Sequence, residues 1–208
     1  MKKKISILVV VLVLVFGGAI SSHAIGFSLG VKGGLGLSNI YNTSDNNDNI
    51  KPKLCGGLMI ALDVHFLSFL TMEVNMGWRN RGYKYDVLGS TITHSTEYFD
   101  MDFLAKFYLT PRKPLGFYIL IGGYVGGPMK NSTDALADPQ VYSDPTDASD
   151  VGMIFGGGVN IGLGKFSLLL ETYGVIGFKT AGSSRSSGDS SGKRYIQGYL
   201  MVGFLFDF

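Results

Sequence analysis

The chain lacks several features that define common protein classes. Its 208 residues include one cysteine, Cys55, and a single cysteine excludes an intramolecular disulfide. Charged residues are few, at 16%, and 18 basic against 16 acidic residues leave a formal net charge of +2. Three of the basic residues are Lys2, Lys3 and Lys4, so the rest of the chain is close to neutral. This balance gives no indication of a nucleic-acid partner.

Long apolar runs are also scarce. After residue 24 no stretch reaches the roughly 18 uncharged apolar residues of a helical membrane span, and the longest, Leu115–Met129, is rich in glycine. The one unbroken apolar run, Ile5–Phe16, follows three lysines and precedes the small-x-small site Ser22-His23-Ala24. At about a dozen residues it is shorter than the roughly 20 of a membrane anchor. The sequence therefore predicts a signal peptide over residues 1–24, cleaved after Ala24, and a single domain over residues 25–208.

What the chain has in abundance is period-two alternation in segments of about ten or more residues, separated by polar turns. Side chains alternate between the two faces of a strand, so each segment has one apolar face and one polar or glycine-rich face. Such segments are typical of a transmembrane barrel. The eight predicted strands are about Phe27–Ser38, Leu54–Phe66, Leu70–Tyr85, Thr96–Leu109, Leu115–Val125, Val151–Leu163, Lys165–Lys179 and Arg194–Phe208.

The predicted connections alternate in length. Those after strands 2, 4 and 6 are short, at residues 67–69, 110–114 and around Gly164. Those after strands 1, 3, 5 and 7 are longer and polar, at residues 39–53, 86–95, 126–150 and 180–193. Short periplasmic turns and long external loops are the expected asymmetry of an outer-membrane barrel, whereas a soluble sandwich does not require it. We therefore expect an all-β, eight-stranded, antiparallel up-and-down barrel.

The polar face of the strands must turn inward. It carries a set of charged residues, and a Lys or Arg facing the middle of a bilayer costs about 2–4 kcal/mol. The predicted lumen network is Lys32, Asp63, Glu73, Arg79, Arg81, Asp100, Asp102, Lys106 and Glu171. Side chains just fill an eight-stranded barrel, so we expect a plugged or very narrow lumen. Two interpretations stay open: charges that pair structurally, or a gated polar path.

Both the last strand and the chain as a whole resemble known proteins. The C-terminal sorting signal of bacterial outer-membrane barrels has a glycine, two residues, an aromatic, one residue and a final aromatic. Gly203, Phe206 and Phe208 fit it, although Met201 stands where a polar residue is usual. The chain as a whole resembles the small outer-membrane barrels of the porin-like, OmpX and opacity-protein type. It looks like a member of the broad outer-membrane protein β-barrel domain group.

This resemblance implies a place in the outer membrane of a diderm bacterium. It implies contact with outer-membrane lipid, with the barrel assembly machinery during insertion, and with an extracellular or host ligand through the loops. It carries over no catalytic residue, and we expect no cofactor and no metal.

Three groups of polar residues are candidates for chemistry. His94, Ser95 and Glu97 lie near the predicted rim of strand 4, but adjacent strand residues point to opposite faces, and only Thr96 shares a face with His94. Acidic residues in two loops, Asp45 to Asp48 and Asp134 to Asp150, lack the ligand spacing of an EF-hand. His65 is expected to be a hydrogen-bonded filler of the lumen, with metal ligation as the alternative.

The favoured hypothesis is a non-enzymatic barrel that acts through its loops, in adhesion, envelope integrity or host interaction. The alternative is a narrow channel for small solutes, lined by Lys32, Arg81, Asp102, Lys106 and Glu171. The third hypothesis is a lipid-modifying enzyme at the rim, which depends on His94.

Overall fold

The chain forms a closed barrel of eight antiparallel strands. The computed structural model describes residues 25–41, 50–87, 90–110, 114–133, 149–178 and 194–208. The strands are β1 (Gly26–Tyr41), β2 (Ile50–Leu67), β3 (Leu70–Val87), β4 (Ser90–Tyr108), β5 (Leu115–Thr133), β6 (Asp150–Leu163), β7 (Phe166–Gly177) and β8 (Arg194–Asp207). Each strand pairs with its neighbour in sequence, and β8 pairs with β1. The predicted fold class is confirmed.

The alternation of the sequence decides which side of each strand faces out. On β1 the apolar side chains point outward, with Leu35 64% exposed, whereas Lys32 and Ser38 point inward and are buried. The same division holds on β8, where Leu200 and Val202 are exposed. An apolar exterior suits lipid, and the closed sheet leaves no strand edge unpaired along its shared length. Within the described residues, no helix has the length and apolarity to cross a membrane.

The two ends of the barrel differ. Three short connections, residues 68–69, 109–114 and 164–165, share one end, which we call the turn end. The other end, the loop end, carries the connections at residues 42–49, 88–89, 134–149 and 178–193. The predicted signal peptide with its Ala24 cleavage site, and the loop acids Asp45, Asp48 and Asp134, lie outside the described residues.

One predicted loop is wrong. The sequence pattern predicts a connection over residues 86–95, but β3 continues to Val87 and β4 already begins at Ser90, so only residues 88–89 remain between the strands. The apolar face ends well before this hairpin does, at Trp78 and Phe99. Apolar alternation marks only the lipid-facing part of a strand, because a strand outside the membrane needs no apolar face. The β-branched run from Thr91 to Thr93 favours extended structure without it.

Candidate functional site

The lumen brings together all nine charged residues of the predicted network, none more than 1% exposed. Together with Asp150, which is not one of the nine, they form two groups along the barrel axis. The group nearer the turn end, which we call the lower layer, consists of Lys32, Asp63, Glu73, Lys106 and Glu171. The group nearer the loop end, the upper layer, consists of Arg79, Arg81, Asp100, Asp102 and Asp150.

The lower layer spans the barrel from wall to wall. The Lys32 ammonium on β1 lies 2.5 Å from Glu73 Oε2 on β3 and 2.7 Å from Glu171 Oε2 on β7. The Lys106 ammonium on β4 contacts the same Glu73, lies 3.1 Å from Asp63 Oδ2 on β2 and lies 3.3 Å from Glu171 Oε1. Five strands are therefore joined through two ammonium groups.

The upper layer pairs mostly neighbouring strands. Arg79 on β3 contacts Asp102 and Asp100 on β4, and the Arg81 guanidinium lies 2.5 Å from Asp100 Oδ2. Arg81 also reaches Asp150 at the start of β6, and among the described residues this is the one ion pair of the layer that crosses the lumen. The Arg81 guanidinium lies 4.2 Å from the ring centre of Tyr98 on β4. Cation–π contacts of this kind add to the ion pairs where water is excluded.

Tyrosine and amide side chains extend the network. The Tyr118 hydroxyl donates to Glu171 Oε1 at 2.6 Å, and the Tyr124 hydroxyl donates to Asp150 Oδ2 at 2.6 Å. The Asn75 amide lies between the two layers and donates to Glu73 Oε1 at 2.7 Å. These groups matter because burying a charge is costly unless its remaining hydrogen-bonding capacity is used.

A cluster of neutral and acidic side chains lies in the lumen at the turn end. The Ser28 hydroxyl donates to Asp207 Oδ1 at 2.5 Å, and Ser28 Oγ lies 2.7 Å from His65 Nε2. The other ring nitrogen of His65 lies 2.9 Å from the Thr71 hydroxyl. Both ring nitrogens of His65 thus lie within hydrogen-bonding distance of a hydroxyl, as the predicted role of a hydrogen-bonded filler requires.

The rim residues considered for catalysis are not brought together. His94 points inward, is 6% exposed and stacks on Tyr83 with ring centres 5.2 Å apart. Ser95 lies on the outer face, where its hydroxyl contacts Lys53 and Asn80. Thr96 is buried on the inner face, and Glu97 lies on the outer face. Among the described residues no group of His, Cys, Asp and Glu side chains is arranged to hold a metal ion.

The residues of the predicted sorting signal take different positions on β8. Gly203 faces the lumen opposite Lys32, and a Cβ added to it would lie 2.9 Å from Lys32 Cγ. Gly203 thus leaves room for the lysine stem that crosses the lower layer. Phe206 contacts Phe166 and Phe208 on the outer side, with ring centres 5.3 Å and 5.1 Å away.

Sequence reasoning misses one member of the network. The composition of its surroundings assigns Asp150 to a solvated acidic loop, but it is the first residue of β6 and binds Arg81 and Tyr124 inside the barrel. The signal is present in the sequence, because Asp150 shares its parity with Gly152 and Ile154 on the lumen face of that strand.

The comparisons with known proteins agree with this geometry. A major outer membrane protein from Thermus thermophilus superposes with a TM-score of 0.56 at 12% identity, covering 89% of this chain and 100% of that one. Neisserial surface protein A superposes with a TM-score of 0.50 at 12% identity, covering 88% of this chain and 97% of that one. At such low identity these likenesses show the fold alone. No curated protein matches the chain in sequence.

The family comparison goes further. The family model described as "Outer membrane protein beta-barrel domain" matches residues 20–181, which is well over half of the chain. It confirms the resemblance noted in the sequence and, with it, location in the outer membrane. The chain therefore belongs to the outer membrane protein beta-barrel domain family.

Proposed function

We propose that this protein is a non-enzymatic outer-membrane scaffold that acts through the connections at its loop end, in surface interaction or in envelope integrity. The single observation that carries the proposal is the lower layer of charges, in which two lysines join five strands across the lumen. A barrel closed in this way offers its ends, rather than its interior, to other molecules.

The energetics support a closed lumen. Removing one partner from a buried ion pair costs about 3–5 kcal/mol, since the remaining charge stays buried. A solute that crosses the barrel would have to separate pairs in both layers and displace the Ser28–His65 contact at the turn end. Side chains that are no more than 1% exposed leave little room for water to replace the lost partners.

The loop end supports recognition. Three of its four connections span eight or more residues, at 42–49, 134–149 and 178–193. Long external loops on a rigid barrel are where outer-membrane barrels place variable, ligand-contacting segments. The non-enzymatic part of the proposal is supported by His94 and Ser95, which lie on opposite faces of β4.

A narrow channel is the second candidate, and one observation favours it. Five buried oxygens, Asp63 Oδ1, Asn75 Oδ1, Asp100 Oδ1, Asp102 Oδ1 and Asn160 Oδ1, have no hydrogen-bond partner among the described residues. Buried polar atoms of this kind are ordinarily satisfied by protein or water. A line of such oxygens through both layers is what a hydrated path would contain.

Single-channel recording in a planar bilayer separates the two candidates. The refolded protein, checked for folding by heat-modifiable gel migration, is compared with Arg81→Ala and Asp102→Ala. We expect no discrete openings for the folded wild type. Reproducible wild-type openings whose conductance changes in either variant would contradict the scaffold proposal and establish the channel.

A further inference from the structure

We propose that Asp63 is protonated in the folded barrel, and that the barrel takes up this proton when it folds. Through this one buried side chain, acid stabilises the fold and alkali weakens it. Three observations carry the proposal: an excess of one negative charge in the lower layer, an acid that only one lysine contacts, and a hydrogen bond between two carboxyl groups.

The lower layer contains one more acid than base. The ammonium groups of Lys32 and Lys106 face three carboxyl groups, so full ionisation would set two positive charges against three negative ones, a net charge of −1. None of the five side chains is more than 1% exposed. A buried acid without a counter-charge ordinarily becomes neutral by keeping its proton. One proton makes the layer electrically neutral.

The two glutamates of the layer have the donors that an ionised carboxylate needs. Glu73 contacts both ammonium groups and accepts a hydrogen bond from the Asn75 amide. Glu171 also contacts both ammonium groups, and it accepts a hydrogen bond from the Tyr118 hydroxyl. Each glutamate therefore meets three separate donor groups, close to the number that a carboxylate can accept. The two positive charges of the layer are accordingly balanced by Glu73 and Glu171.

Asp63 does not have such a set of donors. Its Oδ2 atom accepts a hydrogen bond from Lys106 at 3.1 Å, whereas no donor among the described residues reaches its Oδ1 atom. The position of Asp63 explains this, because its neighbours across the sheet are Ser28 on β1 and Glu73 on β3. The Ser28 hydroxyl donates to Asp207 instead. Asp63 is therefore the acid of the layer whose negative charge would be least stabilised.

The contact between Asp63 and Glu73 requires a proton. A hydrogen bond joins their two carboxyl groups, which lie opposite each other across the β2–β3 pairing. Two ionised carboxylates have no hydrogen to share, and they repel each other at such a distance. With a proton on Asp63, this side chain donates to Glu73 and can still accept from Lys106. Carboxyl groups in contact ordinarily hold one proton between them for this reason.

Other titratable groups lie on both sides of this layer. Toward the turn end, His65 on β2 and Asp207 on β8 both contact the Ser28 hydroxyl. Toward the loop end, the third acid of the upper layer is Asp150, which is 5% exposed, so solvent can stabilise its charge and the count there does not require a proton. The groups that face Asp63 from the neighbouring strands are those of the lower layer and its tyrosine: Lys32, Glu73, Lys106, Tyr118 and Glu171.

The proton links the stability of the barrel to pH. An aspartate of the unfolded chain is ionised at neutral pH, so folding takes up one proton wherever the folded Asp63 retains it. The unfolding constant should then rise about tenfold for each unit by which the pH rises, because the unfolded state has lost a proton that the folded state keeps. Acid therefore strengthens the layer that joins five strands across the lumen.

Infrared spectroscopy of the refolded barrel tests the proton directly. A protonated carboxyl has a C=O stretching band that a carboxylate lacks, and an ester-free detergent keeps that region of the spectrum clear. We expect the wild type at neutral pH to show such a band, shifted in heavy water, and the difference spectrum against Asp63→Asn to assign it. If Asp63→Asn does not fold, isotope labelling of aspartate in the wild type and in Asp102→Asn assigns the band instead.

Urea unfolding over a pH series measures the linkage. The ratio of the wild-type unfolding constant to that of Asp63→Asn should rise about tenfold per unit between about pH 5 and about pH 7. The ratio cancels the titration of His65 and of the other acids, which both proteins contain. Asp86→Asn is the matched control: it is the same substitution at an exposed ion pair, and it should leave the wild-type pH dependence unchanged over this range.

Two outcomes would overturn the proposal. The first is a wild-type spectrum without a carboxyl band that Asp63 accounts for. The second is a ratio of unfolding constants that stays the same at every pH, since Asp63 would then be ionised in the folded and the unfolded state alike. If stability also rises when sodium replaces choline at constant ionic strength, a bound cation neutralises the layer instead. Neither outcome bears on whether the lumen conducts, so this test and that of the proposed function fail separately.

Discussion

The two layers of the lumen hold the same charges but connect different parts of the barrel. Each contains two cations and three carboxylates. The lower layer uses lysines and joins β1, β2, β3, β4 and β7. The upper layer uses arginines: three of its ion pairs join β3 to its neighbour β4, and one, among the described residues, reaches across the lumen from Arg81 to Asp150.

The difference follows from the chemistry of the two cations. An ammonium has three donors on a flexible stem and can be shared among acceptors from several directions. A guanidinium is planar and stacks on aromatic rings, and Arg79 lies 5.6 Å from the ring centre of Tyr199 while Arg81 lies 4.8 Å from that of Tyr124. The lower layer therefore braces the barrel across its width, and the upper layer stiffens one hairpin against a lining of tyrosines.

The largest effect is expected from Lys106→Met, which keeps the length of the side chain but removes its charge. Glu73 and Glu171 would then keep Lys32, whereas Asp63 would lose the one lysine contact that it makes among the described residues. Breaking a buried pair costs about 3–5 kcal/mol, so the free energy of unfolding should fall by that amount. Urea unfolding in lipid vesicles, followed by Trp78 fluorescence, measures it.

The matched control is Lys51→Met. Its ion pair with Asp86 is as short as the ion pair of Lys32 with Glu73, both at 2.5 Å, but the Lys51 side chain is 59% exposed. An exposed pair contributes about 0–1 kcal/mol. Equal losses in the two lysine variants would show that the lower layer does not brace the barrel.

A smaller effect is expected from Arg81→Lys, which keeps the charge in the upper layer. The lysine can neutralise one carboxylate but cannot bridge Asp100 and Asp150 while stacking on Tyr98 and Tyr124. We expect a loss of about 2 kcal/mol in the same urea experiment. The converse change in the lower layer, Lys106→Arg, tests whether each layer is matched to its own cation. If the free energy of unfolding is unchanged in both variants, the two layers do not depend on which cation they contain.

A still smaller effect is expected where a glycine admits a lumen side chain. Gly203→Ala would place a Cβ 2.9 Å from Lys32 Cγ, and overpacking of this kind costs about 1–3 kcal/mol. We expect the lower end of that range, because the lysine stem can shift. Gly198→Ala, on the same strand, is the control, since an added Cβ there meets nothing within 4 Å. If both alanine variants unfold at the same urea concentration, the absence of a side chain at Gly203 is not needed to accommodate Lys32.

These contrasts also show how far the sequence alone could lead. Alternation fixes which side of a strand each residue occupies, so it places Lys32 and Glu171 inside the barrel. It does not say which charges meet, because that depends on the stagger between strands: Lys32 lies opposite Gly203 on β8 and contacts Glu73 two strands away.

The outer end of the β3–β4 hairpin cannot be predicted from apolar alternation, for a different physical reason. Periodicity of apolar residues detects only the part of a strand that faces lipid. The two strands continue past the lipid-facing pair Trp78–Phe99, through Tyr83 and His94. The outer face there is polar, so this part of the strands shows no apolar alternation.

The smallest effect is expected at the tip of that hairpin, outside the membrane. Hydrogen bonds from Lys51 and Thr91 hold the pKa of the partly exposed Asp86 below its usual value. A carboxyl whose pKa is lower in the folded state stabilises the fold above its unfolded pKa, and that contribution is lost as pH falls through the folded value. The effect of Asp86→Asn on urea stability should therefore be slight at pH 7 and decline further as pH falls below about 4. An Asp86 variant that is as destabilised as Lys106→Met at pH 7 would mean that burial is not what separates the lumen pairs from this one.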